Sequence, residues 1–212
     1  MSKREIELMI ENQLRARGIK DEKILQAFSD VDRKFFVPKE YLDRAYGDHP
    51  VSIGYDQTIS QPLIVAEMLC EAKIKEGHKV LEIGAGSGYV LALLFKLGAV
   101  PYGIERIREL AKKIPLNLQQ AGIPEIEVKI GDGTFGWIEK SPFDRIIISA
   151  ASSKVPEKVL EQLKEGGIIV APLGPSYMQR LTIIKKTEKG FEKEEKTPCV
   201  FVPFISDVNL KY

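Results

Sequence analysis

The segment Val80–Tyr89 constrains the fold of this 212-residue chain more than any other part of its sequence. It reads Val-Leu-Glu-Ile-Gly-Ala-Gly-Ser-Gly-Tyr, an apolar run followed by glycine at every second position. Glycine has no Cβ, so a ligand can approach the backbone closely, and a turn from strand to helix presents free N–H groups to it. A helical run follows from Val90 to Leu97. The sequence therefore predicts a strand, a ligand-binding turn and a helix.

The spacing of the glycines indicates which ligand this turn accepts. The dinucleotide fingerprint G-x-G-x-x-G requires glycine at position 89, where this chain has Tyr89. The acidic Glu82 stands just before the glycines, and a carboxylate there repels phosphate but suits an amino group. A cationic nucleoside is favoured over a dinucleotide. The alternative is a glycine-rich turn that only lets the helix pack closely on the sheet.

Two further acidic residues follow predicted strands. Val100–Glu105 is predicted to be a strand that ends in Glu105, and Ile126–Gly133 a strand with Asp132 at its carboxyl end. An acid about twenty residues beyond the glycines is where a ribose diol is held, and ligands of open α/β sheets bind outside the carboxyl ends of the strands. We therefore expect Glu82, Glu105 and Asp132 to rim one pocket.

The alternation of elements predicts the fold class. Strands and helices alternate from Lys79 to Leu173, which indicates a doubly wound α/β fold, a mostly parallel sheet with helices on both faces. After Gly174-Pro175 we predict an antiparallel pair, Arg180–Thr187 and Thr197–Ile205, joined by a charged turn at Glu188–Lys196. We expect one domain, 1–212. It divides into N-terminal helices and a substrate segment (1–61), a ligand-binding core (62–174) and the C-terminal strands (175–212).

Local signals predict where helices begin and break. Ser2–Glu5 fits a capping box for the first helix, and Asp21 is predicted to cap the second. The segment Val37–Gln61 is predicted to be extended and to act as a substrate-binding lid. Pro115 should break the helical run Ile107–Ala121, because proline removes a hydrogen bond and clashes with the preceding turn.

Composition excludes several classes of function. Lys and Arg number 31 against 30 Asp and Glu, a net charge of +1, so no basic footprint for nucleic acid is expected. The two cysteines, Cys70 and Cys199, are too few and too far apart for a metal motif or a disulfide framework. No signal peptide or membrane span is predicted. We expect a cytoplasmic protein without a metal.

Ser60 is the main candidate for chemistry. Pro62 can occupy the first position of a helix that runs to Ala72, with Ser60 or Gln61 as its cap. A helix N-terminus with a nearby hydroxyl is also suited to a carboxylate ligand. A nucleophilic Ser60 would need a base, yet the only histidines are His49 and His78 and no Gly-x-Ser-x-Gly elbow is present.

The glycine turn and the acids after it resemble those of the class I methyltransferases that use S-adenosylmethionine. In that family the glycine loop lies against the methionine part of the ligand. The second acid, here Glu105, binds the ribose, and the third, here Asp132, lies near the adenine. The resemblance implies S-adenosylhomocysteine as the product. The cofactor-binding residues that it implies are Glu82, Gly84, Ala85, Gly86, Gly88, Glu105, Arg106, Asp132 and Gly133.

A second block narrows the resemblance. The core Gln-Thr-Ile-Ser-Gln-Pro at 57–62 resembles the signature of protein-L-isoaspartate O-methyltransferases, and matching segments at 31–38, 131–144, 160–167 and 202–203 span nearly the whole chain. The resemblance implies methylation of the free carboxylate of isoaspartyl residues in damaged proteins and peptides, by a protein expected to be a monomer. It implies that Ser60 is catalytic and that the substrate-binding residues are Thr58, Ile59, Ser60 and Val202.

One position departs from that family. Ala150-Ala151 is followed by Ser152-Ser153-Lys154, where the family often has Ala-Ala-Pro-Glu, so the conformation of this loop stays open. Two other functions also stay open. One is a class I methyltransferase that acts on RNA or a small molecule, and the other is a module that binds S-adenosylmethionine or a nucleotide without turnover.

Overall fold

A seven-stranded sheet organises the computed structural model, which describes residues 2–206. The helices are α1 (Ser2–Met9), α2 (Glu22–Asp30), α3 (Pro62–Ala72), α4 (Tyr89–Lys96), α5 (Arg108–Ala111), α6 (Ile114–Gln120) and α7 (Glu157–Glu161). The strands are β1 (Val51–Gly54), β2 (Gln57–Ile59), β3 (Lys79–Ile83), β4 (Val100–Glu105), β5 (Val128–Ile130), β6 (Phe143–Ile148), β7 (Leu163–Leu173), β8 (Gln179–Thr187) and β9 (Gly190–Cys199).

The order of the strands confirms the predicted doubly wound fold. The sheet runs β5-β4-β3-β6-β7-β8-β9, and the pairs among β3 to β7 are parallel. The last two pairs, β7–β8 and β8–β9, are antiparallel. The chain leaves β3 toward β4 and β5 and then returns to β6 on the other side of β3. Ligands of such sheets bind in the crevice at this reversal, outside the carboxyl ends of the strands.

Both faces of the sheet are buried, as a mostly parallel sheet requires. Alternate residues of a strand point to opposite faces. Val80 and Ile147 belong to the larger apolar cluster, which includes residues of α1 to α4. Their neighbours Leu81 and Ile146 belong to a second cluster, which includes Val159 of α7. The two clusters hold the strand ends rigidly, and those ends carry the site.

The predicted C-terminal strand pair is partly wrong. β8 is where it was expected, but residues 190–196, predicted as a turn, belong to β9, and the turn is confined to Thr187–Gly190. β9 is an edge strand with mostly exposed residues, so its charged side chains stay in water and give no apolar alternation. Residues 200–205 are irregular, and the segment is held by Ala151, which donates to the Val202 carbonyl at 2.8 Å.

The predictions for the N-terminal third and for Pro115 have mixed outcomes. The segment Val37–Gln61 is not extended, since it contains a 3₁₀ helix at Lys39–Arg44 and the β1–β2 hairpin. Asp21 caps α2 as predicted, and the helical run around Pro115 is divided between α5 and α6. The predicted capping box of α1 depends on the Ser2 side chain, which lies outside the described part. No helix among residues 2–206 is long and apolar enough to cross a membrane.

Candidate active site

Three adjoining cavities lie at and beside the carboxyl ends of β3, β4 and β6. The strand-end cavity, with an empty volume of about 640 Å³, is bounded by Gly84, Gly86, Glu105, Gly133 and Phe204 among others. The side cavity, of about 680 Å³, lies between the start of α3 and residues 197–202. A smaller bridging cavity of about 340 Å³ lies against the glycine turn. Thr58 and Ser149 line all three cavities.

The glycine turn folds as the sequence predicts. Gly84 and Gly86 have φ angles of 85° and 54°, where residues with a Cβ are strained, and both line the strand-end cavity. Ala85 faces the bridging cavity. Gly88 lines none of the three cavities, and a Cβ there would lie 2.8 Å from Cγ2 of Ile114. Gly88 is therefore a packing position that lets α4 approach α6.

Glu105 connects the ends of two strands. Its carboxylate is buried at the wall of the strand-end cavity, where Oε2 accepts from the Gly86 N–H at 2.7 Å and Oε1 from the Ile107 N–H at 2.8 Å. Both oxygens thus fix the backbone around the cavity, and each retains a further lone pair. Arg106, the next residue, is exposed and lines the same cavity.

Asp132 lies at the predicted strand end but is not among the described residues that line the strand-end cavity. Its Oδ1 accepts from the backbone N–H of Thr134 at 2.8 Å and from its hydroxyl at 2.6 Å, while Oδ2 accepts from the Ser206 hydroxyl at 3.0 Å. Its neighbours Gly131 and Gly133 line the cavity. The carboxylate therefore shapes the turn that carries those glycines.

Glu82 lies deeper than predicted. It is only 1 % exposed and lines the bridging cavity, not the strand-end cavity. The Ser149 hydroxyl donates to its Oε1 at 2.9 Å, while Oε2 has no hydrogen-bond partner among the described residues. Burial raises the pKa of Glu82 well above its usual range, and the negative charge of Glu105 adds to the shift. An unpaired buried acceptor of this kind suits a cationic or N–H-bearing ligand.

Ser60 is not the cap of α3. The first turn of α3 is capped by Asp48, whose carboxylate accepts from the Leu63 N–H at 3.3 Å and pairs with Arg17 at 2.8 Å. Gln61 occupies the N-cap position without a side-chain bond to the helix, and its amide donates to the Asp48 carboxylate at 3.5 Å instead. No hydrogen bond joins the Ser60 hydroxyl to another described side chain or backbone group, and Ser60 lines both the side and bridging cavities.

The other predicted substrate residues surround the same junction. Thr58 is exposed within all three cavities, and Val202 lines the strand-end and side cavities. Ile59 borders the bridging cavity, but its side chain is buried in the larger apolar cluster, so it anchors the segment. The structure thus brings Thr58, Ser60 and Val202 together.

Sequence reasoning missed Ser149. It directly follows β6, lines all three cavities and donates to Glu82. Its position after a central strand was the available signal, the same signal that identified Glu105 and Asp132. A search limited to charged residues at strand ends overlooks a hydroxyl in the equivalent place.

The histidines do not complete a hydrolase triad with Ser60. Neither His49 nor His78 is among the described residues that line the three cavities. The Nδ1 atom of His78 accepts from the Lys75 N–H at 3.1 Å, and that of His49 lies 3.1 Å from the Pro50 carbonyl. Ser60 therefore has no histidine beside it, among the described residues of the three cavities, to act as the base of such a triad.

Comparison with known proteins identifies the family. The family model described as protein-L-isoaspartate(D-aspartate) O-methyltransferase matches residues 4–209. The chain belongs to this family. It is 47% identical over 206 residues to the protein-L-isoaspartate O-methyltransferase of Petrotoga mobilis, covering 96% of this chain and 97% of that one. The enzyme of the same name from Dictyoglomus turgidum is 46% identical over 198 residues, covering 93% and 90%.

Solved structures agree with this family assignment. A crystal structure of a putative protein-L-isoaspartate O-methyltransferase from Plasmodium falciparum, in complex with S-adenosyl-L-homocysteine, superposes with a TM-score of 0.81 at 25% identity. That match covers 93% of this chain and 96% of the other. A second solved protein-L-isoaspartate O-methyltransferase superposes with a TM-score of 0.84 at 27% identity. This match covers 98% of this chain and 67% of the other chain. The glycine turn and the substrate segment thus lie within the matched fold.

Proposed function

We propose that this chain is an S-adenosylmethionine-dependent protein-L-isoaspartate O-methyltransferase. It transfers a methyl group to the free carboxylate of L-isoaspartyl residues in damaged proteins and peptides. One observation carries the proposal beyond family membership. A cavity at the strand ends is joined, through the bridging cavity, to a second cavity beside an unpaired serine hydroxyl. Methyl transfer needs two adjoining ligand sites of this kind.

The strand-end cavity fits the methyl donor. The strand-end residues proposed to hold the donor are Gly84, Gly86, Glu105, Arg106 and Gly133, which line the cavity, with Asp132 supporting the turn behind them and Gly88 the helix. When bound, S-adenosylmethionine supplies a methyl group that its sulfonium sulfur already activates.

Glu82 and Ala85 form the donor-facing wall of the bridging cavity in this proposal. The unpaired Oε2 of Glu82 would accept from the amino group of the donor, which the sequence analysis anticipates. Since burial raises the pKa of this carboxyl, a cation beside it would favour its ionised form. Ser149 holds the other oxygen in place.

Ser60 is proposed to hold the substrate carboxylate. Its hydroxyl lies where the side and bridging cavities meet, and Asp48 already caps α3. The hydroxyl is therefore available to donate to the substrate carboxylate. Thr58 and Val202 form adjacent walls, and Ile59 fixes the segment in the core. The hydrogen bond must orient the carboxylate without quenching its nucleophilicity.

The reaction needs positioning more than acid–base chemistry. A carboxylate with a reference pKa near ~4 is already ionised at neutral pH, so no general base has to remove a proton. Orienting two bound reactants can lower the barrier by up to about 7–11 kcal/mol. The residues around the three cavities supply that orientation and exclude water.

Selectivity follows from backbone geometry. An isoaspartyl residue carries its free carboxylate on the main-chain carbon, and its backbone contains one extra methylene. A pocket that fixes both the carboxylate at Ser60 and the peptide backbone near Thr58 and Val202 can distinguish this arrangement from a normal aspartyl residue. We further propose that the protein acts as a monomer in the cytoplasm, without a metal, nucleic acid or membrane. Its two free cysteines and its net charge of +1 support that setting.

The test is transfer of labelled methyl from S-adenosylmethionine to two peptides that differ only in an isoaspartyl or aspartyl residue. We expect base-labile label on the isoaspartyl peptide alone. Label on neither peptide, with donor binding intact by calorimetry, would refute the assigned substrate and favour a binding module. Label on RNA but not on peptide would support the alternative methyltransferase.

A further inference from the structure

The side cavity carries an acidic group that the proposed reaction does not use. Glu67 lies on α3, about one and a half turns beyond the start of the helix, and lines the side cavity together with Ser60 and Cys199. Its Oε2 is buried and has no hydrogen-bond partner among the described residues. A buried carboxylate oxygen without a partner is costly unless a ligand completes it.

The described residues around Glu67 do not neutralise its charge. Arg17 is the one cationic residue among those lining the side cavity, and it is paired with Asp48 at 2.8 Å. On the neighbouring edge strand, Lys196 is paired with Glu194 at 2.6 Å and with Glu71 at 3.6 Å. Each of these cations is therefore already matched by a carboxylate other than that of Glu67.

The pKa values of two nearby cysteines also respond to the charge of Glu67. Burial raises the pKa of Cys199 to about 11, and the negative charge of Glu67 adds to the shift. The pKa of Cys70 is also raised to about 11, chiefly by burial and then by Asp21, Glu71 and Glu67. Burial is the larger cause at both thiols, and at Cys199 the positive charge of Arg180 opposes the effect of Glu67.

We infer that Glu67 selects isoaspartyl substrates with a lysine or arginine close to the damaged residue. This inference rests on the proposed function, because it assigns the side cavity to the substrate peptide. With the isoaspartyl carboxylate at Ser60, a flanking residue extends along the cavity toward Glu67. A cationic side chain would form an ion pair with the Glu67 carboxylate and donate a hydrogen bond to its unpaired Oε2. An acidic flank would meet like charge in a partly dehydrated space.

The test compares isoaspartyl peptides that carry Lys, Gln or Glu in turn at each of the three positions on either side of the isoaspartyl residue. We expect the lysine peptide to exceed the glutamate peptide in kcat/KM by about tenfold at one or two positions, the effect of one charge-assisted hydrogen bond. In Glu67→Gln this ratio should fall to about twofold or less, and in Glu67→Lys it should reverse. Added salt should reduce the ratio in the wild type.

Glu71→Gln is the matched control, because Glu71 lies one turn further along α3, pairs with Lys196 and is not among the residues lining the side cavity. It should keep the wild-type ratio. Binding of S-adenosylhomocysteine, measured by calorimetry, should be the same in all variants and shows that each is folded.

Two results would overturn the inference alone. Equal rates for all flanks would remove the preference, and an equal loss on every peptide in Glu67→Gln would assign Glu67 to a peptide amide. If no isoaspartyl peptide is methylated at all, the proposed function itself fails, and the flank preference fails with it.

Discussion

The strand-end cavity and the side cavity are built in opposite ways. In the first, the carboxylate in the wall is already bound by the backbone, since both oxygens of Glu105 accept backbone N–H groups. Around the second, the Ser60 hydroxyl and Oε2 of Glu67 have no partner among the described residues. The strand-end cavity is fixed in advance by the sheet, while the side cavity leaves its polar groups for a ligand to complete.

This contrast matches the two ligands proposed. A donor that never varies is best served by a preorganised site, because no ordering cost is paid on binding. A repair enzyme meets its damaged residue in many sequence contexts. The side cavity can accept these different contexts, because its wall near Ser60 and residues 197–202 lies outside the parallel sheet.

The largest effect is expected from Glu105→Ala. The partly buried N–H groups of Gly86 and Ile107 would lose their acceptor, at up to about 1–3 kcal/mol each. The glycine turn would loosen, and affinity for S-adenosylhomocysteine should fall about 100-fold by calorimetry, an order-of-magnitude estimate from the same hydrogen bonds. The exposed Glu109→Ala is the control. Unchanged affinity would show that the strand-end cavity is not held by Glu105.

Ser60→Ala should affect only the reaction. We expect kcat with an isoaspartyl peptide to fall roughly 10- to 100-fold, as when one positioned hydrogen-bond donor is removed. Donor affinity should remain close to that of the wild type, because Ser60 is not among the described residues lining the strand-end cavity and its proposed hydrogen bond goes to the substrate carboxylate. Full turnover would remove Ser60 from its proposed role. A loss of donor affinity would contradict the division between the cavities.

Gly88→Ala should reduce stability. The new Cβ would meet Ile114 at 2.8 Å at a φ of 87°, so we expect the free energy of unfolding to fall by about 2–3 kcal/mol. Gly122→Ala, at a φ of 68° with open space around the new Cβ, reports the backbone strain alone. Denaturant unfolding measures the difference between the two variants. Equal losses would mean that the Ile114 contact costs nothing.

Glu82→Gln should change the pH dependence of stability. The pKa of Glu82 is raised in the folded protein, so the folded state holds its proton longer than the unfolded chain. Stability is then lost as pH rises above the unfolded value near ~4.5, by at most about 1.4 kcal/mol per pH unit. Without ligand, the wild type should lose more stability than Glu82→Gln between pH 5 and pH 8 in thermal unfolding. Parallel curves would contradict a buried, proton-retaining Glu82.

The sequence predicted what depends on local patterns. The strand, glycine turn and helix around residues 80–97, the break at Pro115 and the cap at Asp21 follow from short-range rules. The edge strand β9 was missed because both its faces are exposed, so no apolar alternation marks it. The sequence also predicted those parts of the site that lie at the converging strand ends, such as Glu105 at the end of β4.

The rest of the site depends on distant contacts that no local pattern reports. Asp48 caps a helix that begins fourteen residues later at Pro62, so the free hydroxyl of Ser60 could not be inferred. The depth of Glu82 below the cavity surface, and the hydrogen bond that Ser149 donates to it, arise from the pairing of β3 with β6. Such features follow from tertiary structure alone.

The shared walls have a thermodynamic consequence. Thr58 and Ser149 border all three cavities, so a ligand on one side sets the arrangement of side chains that a ligand on the other side meets. If the bound donor raises the affinity of the protein for a damaged peptide by some factor, the bound peptide must raise the affinity for the donor by the same factor. Once the methyl group has moved, the two bound molecules are the products, S-adenosylhomocysteine and the methylated peptide. The same equality then links the affinities of the two products, so a change in this coupling that weakens the hold on one weakens the hold on the other by the same factor.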